Sequence, residues 1–215
     1  MLPRTRKTPA ALTSGQKLSS YCLTEPGNGS DAGNLKTRAE KVDGGWRLTG
    51  AKAFISGAGA TDYLVVMARS GGAGPKGISA FAVDAKAEGI GYGRKEEKMG
   101  WNSQPTRGVT FDNVFVPDNH LLGREGEGFT IAMKGLNGGR INIAACSLGG
   151  AQAAYDAARS YVHTRQQFGQ PLAGFQTVQF KIADMATRLT AARSMVHRAA
   201  AKLDAGAPDA IVACA

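Results

Sequence analysis

Short apolar runs separated by glycine, proline and polar residues fill the first part of the chain, from about residue 19 to residue 115. Residues 63–68 are almost continuously apolar, which is typical of a strand buried on both faces. Another apolar run covers residues 78–83, and residues 109–116 alternate until Pro117 ends the pattern. No amphipathic stretch of helical length interrupts the series. The pattern predicts an antiparallel β-barrel or sandwich and not a fold of alternating strands and helices.

A β-hairpin is predicted within this region. Residues 35–42 and 46–48 have strand patterns on either side of Asp43-Gly44-Gly45. Because glycine adopts positive φ without a steric penalty, this sequence suits a tight turn between antiparallel strands.

The hydrophobic period becomes helical after Gly128. Apolar residues recur at helical spacing towards residue 162, and again from about residue 175 to residue 204. A third helix is predicted to begin at Asp209. Two helices and the start of a third do not close a bundle, so their apolar faces are expected to contact a partner.

Two adjacent glycines, Gly138 and Gly139, lie inside the first helical pattern. Each is about 1 kcal/mol less favourable than alanine in a helix interior. That penalty predicts that another group lies close against the helix at these positions.

Together the patterns predict an α+β fold, with an antiparallel β-barrel or sandwich followed by a partial antiparallel helix bundle. We expect a flexible leader over residues 1–18, a middle β-domain over residues 19–124 and the first helices of an α-helical domain over residues 125–215. The basic residues 4–7 resemble a transit peptide only faintly, so an exposed leader is the favoured interpretation.

Composition and charge exclude several classes of protein. Hydrophobic residues make up 43% of the chain and charged residues 20%, as in ordinary globular proteins, and no apolar run is long enough to span a membrane. The formal charge of +9 is spread along the chain, without the interleaved aromatic residues of a nucleic-acid stacking surface. A nucleic-acid partner is not expected, whereas attraction of a polyphosphate such as coenzyme A fits the charge.

The three cysteines, Cys22, Cys146 and Cys214, lie far apart and form no C-x-x-C motif. The three histidines share no ligand spacing with one another or with a cysteine. This distribution predicts reduced thiols in an intracellular compartment, and neither a disulfide framework nor a metal site.

The segment 21–31 carries the clearest candidate chemistry. It runs from an apolar strand start into a loop rich in glycine, in which Thr24 and Ser30 supply hydroxyls that donate and accept hydrogen bonds. Glycine lets a backbone approach a flat or phosphorylated ligand closely. Residues 27–32 also match G-x-G-x-x-A, but a strand pattern and not a helix follows, so this is not the dinucleotide fingerprint.

Several separate segments resemble one family, the acyl-CoA dehydrogenases. The loop 21–31 resembles the family's T-E-P-G-x-G-S-D signature, and residues 52–58 resemble its G-x-K-x-x-I-[ST] strand. The remaining similar segments are residues 98–106, 136–144, 165–172 and 183–186. Two of these, 98–106 and 136–144, are similar to the isobutyryl-CoA dehydrogenase branch, which acts on short branched-chain acyl groups. The resemblance covers about residues 14–215.

The resemblance implies FAD as the cofactor. Phe54 would cover one face of the flavin ring, and the Ser56 hydroxyl would hydrogen-bond near N5. The family commonly has Trp and Thr at these two positions, and the aromatic face and the hydroxyl are both kept here. The implied cofactor-binding residues are Tyr21, Cys22, Leu23, Thr24, Glu25, Pro26, Gly27, Asn28, Gly29, Ser30, Phe54, Ile55, Ser56, Arg165, Phe175 and Gln176.

The same resemblance implies a site for the acyl-CoA substrate. Asn137 and Arg140 are three residues apart and so share a helical face. The implied substrate-binding residues are Ser30, Asn137, Gly138, Gly139 and Arg140. Arg165 would reach the FAD pyrophosphate of a neighbouring subunit, so a complete site would need at least two subunits in a dimer or tetramer.

The implied reaction is dehydrogenation of a short branched-chain acyl-CoA to the 2-enoyl-CoA, with an electron-transferring flavoprotein as electron acceptor. The family's catalytic base is a glutamate late in the C-terminal helical domain, and we expect it beyond residue 215, as in an incomplete chain that is inactive alone. No residue of the sequence is therefore assigned as catalytic. The family implies the bacterial cytoplasm or the mitochondrial matrix.

Two alternatives stay open. The first is an acyl-CoA oxidase, in which O₂ reoxidises the flavin. The second is a non-catalytic remnant that binds a partner through its unfilled helix faces.

Overall fold

The computed structural model describes residues 7–207 and residue 210. The third helix predicted from Asp209, the basic residues 4–6 and Cys214 lie outside the described residues. The helices are α1 (Lys7–Thr13), α2 (Gly128–Thr164) and α3 (Gln176–Asp204). The strands are β1 (Ser19–Cys22), β2 (Arg38–Val42), β3 (Gly45–Ser56), β4 (Tyr63–Arg69), β5 (Ile78–Asp84), β6 (Ile90–Lys95), β7 (Thr106–Pro117), β8 (Leu121–Leu122), β9 (Gln166–Gln167) and β10 (Gln170–Pro171).

The chain divides into two compact units, one ending at Met133 and the next beginning at Lys134. The first contains β1–β8 and the second contains most of α2 together with β9, β10 and α3. The division therefore falls within α2, a few residues after the domain boundary expected from the sequence. Helix α1 occupies part of the stretch that the sequence suggested as a leader.

Within the described residues, eight strands of the first unit form one sheet. Seven follow the order β6-β7-β3-β2-β4-β5-β8, and β1 pairs with β4 from outside this path. The pairs β1–β4 and β2–β4 are parallel, and the others are antiparallel. The α+β class is confirmed, but the sheet is mixed, which corrects the expectation of a wholly antiparallel one.

The predicted hairpin is confirmed. Strands β2 and β3 pair from Arg38 opposite Thr49 to Val42 opposite Gly45. Gly44 has φ 71°, the left-handed conformation that a residue with a Cβ rarely adopts. The sequence pattern missed β6, because its glycines and charges hide any alternation.

One face of the sheet carries the main core. Alternate residues of β3, β4, β5 and β7 point into a cluster of buried side chains. The rings of Trp46 and Phe81 meet edge to face within it, with centroids 5.4 Å apart. Deeply buried members include Cys22, Leu48, Leu64, Val66, Val109 and Val114.

Both long helical predictions are confirmed by α2 and α3. None of the described helices is both long and apolar enough to cross a membrane. A Cβ added to Gly138 or Gly139 would meet nothing within 4 Å among the described residues. No protein group described here lies against these two glycines, so the neighbour predicted from the sequence would have to be a ligand or another chain, and it stays a prediction.

Candidate functional site

The loop after β1 is joined to β3 by backbone hydrogen bonds. Thr24 O accepts a hydrogen bond from Ala53 N at 2.9 Å. One residue later, Glu25 and Asn28 exchange two backbone hydrogen bonds, of 3.0 and 3.2 Å, and close a turn over Pro26 and Gly27. The start of the loop is thus fixed against the sheet, while the turn projects from it.

A β-bulge in β3 lies directly beside this loop. The register between β3 and β7 shifts between Lys52 and Ile55. Phe54 lies in the bulge with φ 55°, and its side chain is 67% exposed, whereas Ile55 is buried. Pairing with β7 resumes at Ile55, and the next residue, Ser56, pairs with Thr106 and is exposed. The bulge therefore presents an aromatic ring and a hydroxyl at the surface, next to the backbone of Thr24.

The glycine-rich turn is open to an approaching ligand. A Cβ at Gly27 or Gly29 would meet nothing within 4 Å. Pro26 and Ser30 are exposed, and Thr24 and Asn28 are half-buried. Backbone amides and hydroxyls are therefore accessible from outside, as a flat, phosphorylated ligand requires.

Three residues predicted to bind the cofactor have buried side chains. Cys22, Leu23 and Ile55 face the protein interior, so only their backbone could contact a ligand. Burial also raises the pKa of the Cys22 thiol to about 12, and the nearby Lys52 charge only partly offsets this. The thiol is protonated at neutral pH and has no place in the surface chemistry.

The side chain of Tyr21 is anchored to α2, because its hydroxyl donates a hydrogen bond to Ala132 O at 3.0 Å. Burial raises the pKa of this phenol to about 12. Tyr21 therefore stays a neutral donor, and its side chain links the loop to the first turns of α2.

Glu25 faces inward, although the sequence placed it among the cofactor-binding residues. Its Oε1 lies 2.9 Å from Lys52 Nζ, with 5% and 0% of the two side chains exposed. The carboxylate also accepts hydrogen bonds from Thr37 N, Thr37 Oγ1 and Lys36 N. Its oxygens are occupied by protein donors, so a ligand would meet the backbone of Glu25 and not the carboxylate.

The titration of this pair follows from its surroundings. Burial acts to raise the pKa of Glu25, but the Thr37 hydrogen bond and the Lys52 charge outweigh it and lower the pKa to about 2. Burial lowers the pKa of Lys52, and the Glu25 carboxylate opposes that change. At neutral pH the interaction is a buried ion pair.

A second loop reaches the same end of β3, and sequence reasoning gave it no ligand role. Lys98 Nζ donates to Trp101 O, Gln104 O and Thr106 Oγ1 at 2.8 to 3.0 Å and so shapes residues 98–106. Trp101 has φ 56° and is 63% exposed. The sequence offered one indication of this loop, because Trp101 belongs to the segment 98–106 that resembles the family.

The second unit holds the predicted substrate residues on one turn of α2. Asn137, Gly138 and Gly139 are half-buried, and Arg140 is exposed. Side chains three residues apart lie on neighbouring positions of a helix surface. The turn thus offers an amide, a guanidinium and two positions without side chains to an anionic, extended ligand.

The remaining predicted residues flank the β9–β10 hairpin: Arg165 directly precedes β9, and Phe175 and Gln176 lie at the start of α3. Arg165 is exposed, and its carbonyl accepts a hydrogen bond from Leu172 N at 2.9 Å. Phe168 has φ 53° and is 93% exposed, with its ring centroid 6.2 Å from that of Phe175. No ligand role is predicted for Phe168 from the sequence, because a local pattern reveals neither its left-handed backbone nor the exposure of its ring.

The available groups fit a flavin dinucleotide. Within the first unit, an exposed ring, accessible hydroxyls and open glycine backbone suit a planar heterocycle. Within the second unit, taken by itself, the exposed Arg165 fork suits a phosphate. No group of three or more His, Cys, Asp or Glu side chains able to hold a metal occurs within residues 7–207 and 210. The residue assignments themselves stay predictions.

Comparisons with known proteins give consistent matches. The model of the acyl-CoA dehydrogenase middle domain matches residues 20–114, and that of the acyl-CoA dehydrogenase C-terminal domain matches residues 126–215. Acyl-CoA dehydrogenases are FAD flavoproteins, which confirms FAD as the expected cofactor.

Individual relatives agree. The chain is 57% identical to a mitochondrial isobutyryl-CoA dehydrogenase of Dictyostelium discoideum, over 94% of this chain and 49% of that protein. It is 54% identical to the mitochondrial isobutyryl-CoA dehydrogenase of Bos taurus, over 93% of this chain and 48% of that protein. The solved butyryl-CoA dehydrogenase of Megasphaera elsdenii superposes with a TM-score of 0.91 at 43% identity, covering 96% of this chain and 55% of that one. The chain spans about half the length of the curated relatives it matches.

Proposed function

We propose, from the premise that this chain belongs to the acyl-CoA dehydrogenase family, that it serves the FAD-dependent α,β-dehydrogenation of a short branched-chain acyl-CoA to the 2-enoyl-CoA. Identities of 57% and 54% to two isobutyryl-CoA dehydrogenases support the branched-chain substrate.

The observation that carries the proposal is the bulge in β3. A phenylalanine with a left-handed backbone and a largely exposed ring is unfavourable in an isolated protein, and such strain is typical of a ligand site. Phe54 is also followed two residues later by an exposed hydroxyl, Ser56, and is flanked by the backbone of Thr24.

In this proposal the first unit binds and orients the flavin. FAD, when bound, supplies the hydride acceptor of the reaction. The Phe54 ring covers one face of the isoalloxazine and excludes water from it. Ser56 donates a hydrogen bond near N5, and the amides and hydroxyls of residues 24–30 bind the edge of the ring. Ser30 also contacts the acyl-CoA.

The second unit supplies groups for anions. Asn137 and Arg140 bind the coenzyme A portion of the substrate, and the absence of side chains at Gly138 and Gly139 allows its close approach. Arg165 binds the FAD pyrophosphate of a neighbouring subunit in a dimer or tetramer, with Phe175 and Gln176 beside the same flavin. An electron-transferring flavoprotein accepts the electrons, and the glutamate that removes the α-proton is expected beyond residue 215.

Titration of the 215-residue chain with FAD tests the proposal. On binding, we expect the flavin fluorescence to be quenched and the visible absorption band to show more resolved fine structure than that of free FAD. Phe54→Ala should weaken binding by about tenfold, since stacking on an aromatic ring is worth about 1–3 kcal/mol. Phe115→Ala, at another exposed aromatic of the same sheet, is the matched control and should leave the affinity unchanged.

The outcomes separate the alternatives. A chain that never binds FAD but forms a complex with another protein would favour the non-catalytic remnant. Peroxide release on adding isobutyryl-CoA would favour the oxidase. Turnover of isobutyryl-CoA by these 215 residues alone would contradict the assignment of the base beyond residue 215.

A further inference from the structure

The buried pair of Lys52 and Glu25 lies beneath the residues proposed to bind the flavin. Lys52 immediately precedes the bulge that presents Phe54, and Glu25 immediately follows Thr24. The two side chains are 0% and 5% exposed, so neither can contact a ligand at the surface.

The pair joins three segments that are distant in sequence. Lys52 Nζ donates to Leu23 O at 3.1 Å as well as to the Glu25 carboxylate at 2.9 Å. Glu25 in turn accepts from Thr37 N at 2.8 Å and Thr37 Oγ1 at 2.5 Å, and from Lys36 N at 2.6 Å. The ion pair thereby holds the backbone at Leu23 and Glu25, on either side of Thr24, and the two residues that precede β2.

Close packing leaves this network little freedom to shift. A Cβ added to Gly50 of β3 would lie 2.7 Å from Thr37 Cα, so the two backbones are in contact there. Thr37 is buried between Gly50 and the Glu25 carboxylate. A change at either charge would therefore be transmitted to the backbone and not absorbed by a gap.

We propose that Lys52 and Glu25 are positioning residues, which set the distance and angle between the Thr24 backbone and the Phe54–Ser56 bulge that the flavin requires. The inference rests on the proposed flavin site. Without the pair, Ala53 N and Thr24 O would keep only their single 2.9 Å hydrogen bond as a direct link between the loop and the bulge. The flavin would then bind to a wider, less ordered surface.

The test replaces both charges together. Removing one partner would leave a buried unpaired charge, whereas replacing both with neutral groups of similar volume is often tolerated by the fold. Lys52→Met combined with Glu25→Gln is the test variant. Lys41→Met combined with Asp118→Asn is the control, because that ion pair is in the same unit and about half-exposed.

Three quantities are measured on the full 215-residue chain: the thermal midpoint without FAD, the Kd for FAD, and the reduction potential of bound FAD. We expect the test variant to stay folded, to bind FAD about tenfold or more weakly, and to shift the potential, since misplaced supporting groups change a site without contacting its ligand. A merely structural role would lower the thermal midpoint without moving the potential. The control variant should match the wild type in all three.

The possible outcomes distinguish failure of the positioning role from failure of the proposed function. If the wild type binds FAD and the test variant has the same Kd and potential, the positioning role is wrong and the proposed function stands. If the wild type binds no FAD, both fail. If the test variant does not fold, Glu25→Asp replaces it: this keeps the charge but draws the backbone of Glu25 towards Lys52, and an unchanged potential would again refute the inference.

Discussion

Phe54, Trp101 and Phe168 are aromatic residues with left-handed backbone conformations and exposed side chains. A residue with a Cβ is disfavoured by about 1–2 kcal/mol in this conformation, and an exposed ring recovers little of that through burial. At each of these positions the fold itself therefore gains little from the aromatic ring. Asn113 shares the conformation but is a residue type that tolerates it.

Phe54→Gly separates strain from ligand binding. Glycine relieves the left-handed strain but makes the unfolded chain more flexible, so the free energy of unfolding should change by less than about 1 kcal/mol. The affinity for FAD should fall by about tenfold, because the stacking face is lost. Asn113→Gly is the matched control and should leave FAD binding intact. A Phe54→Gly chain that binds FAD normally would remove the stacking role.

The Glu25 carboxylate makes stability depend on acid pH. Its pKa falls from 4.5 to about 2 in the folded chain, so the stabilisation is complete above pH 4.5 and is lost as the pH falls towards 2. A pKa change of that size corresponds to about 3 kcal/mol of pH-dependent stability. Urea unfolding between pH 5 and pH 2 should show a steep loss of stability, which the double variant Lys52→Met with Glu25→Gln should flatten. Asp118→Asn, in an exposed ion pair, should keep the wild-type slope.

The sequence identified Glu25 by its motif but did not reveal that its carboxylate turns inward to pair with Lys52. Local patterns carry no information on a partner 27 residues away, and the Lys52 that pairs with Glu25 lies in a strand of ordinary composition. By contrast, Phe54 and Ser56 were placed by the resemblance, and the structure exposes both. Their exposure is consistent with the resemblance, their cofactor roles stay predictions, and the pairing of a side chain with a distant partner could not be predicted from a local motif.

At the scale of elements, hydrophobic period was a good guide to what forms and a poor guide to what pairs. Apolar runs located β4 and β5, alternation located β7, and helical spacing located α2 and α3. It missed β6, where Gly91, Gly93 and two basic residues break the alternation. Parallel pairing of β1 with β4 also could not be read locally, because it depends on the path of the whole sheet.

The glycines of α2 provide a test of what covers that helix. Gly138, Gly139, Gly149 and Gly150 all have open space where a Cβ would be. Replacing either pair with alanine should raise the thermal midpoint, since alanine is favoured by about 1 kcal/mol per position in a helix interior. Only the Gly138→Ala and Gly139→Ala pair should also weaken acyl-CoA binding, measured by calorimetry. Equal effects of both pairs on binding would contradict a substrate site at Asn137–Arg140.

At the scale of the whole molecule, the two units differ in how far they bury their apolar residues. The first unit has a continuous core beneath its sheet. In the second, an apolar groove between α2 and α3 is lined by Leu148, Tyr155, Leu189 and Val196, and Met195 at its edge is 52% exposed. The contact of these helix faces with a partner remains a prediction, and this groove is the surface at which we expect the partner to bind.

Self-association through this groove should be visible by sedimentation. We expect the average mass to rise with protein concentration and, because salt screens the repulsion between chains of charge +9, to rise further with added salt. Met195→Lys should reduce association. Ala191→Lys adds the same charge at an exposed position outside the groove lining and should have a smaller effect. Equal effects of the two variants would show that charge and not the groove controls association.

The pairing of β3 with β7 affects how this protein emerges from a ribosome. Gly45 pairs with Pro117 and Ser56 with Thr106. Strand β3, which carries Phe54, therefore lacks its partner β7 until roughly sixty more residues have been translated. During that interval the nascent β2–β3 hairpin presents an unpaired edge, which is a surface that chaperones bind and that aggregation exploits. If the loop of residues 24–30 and the β3 bulge bind FAD as proposed, flavin loading would wait for the same event, and a nascent chain stalled before β7 should carry no bound FAD.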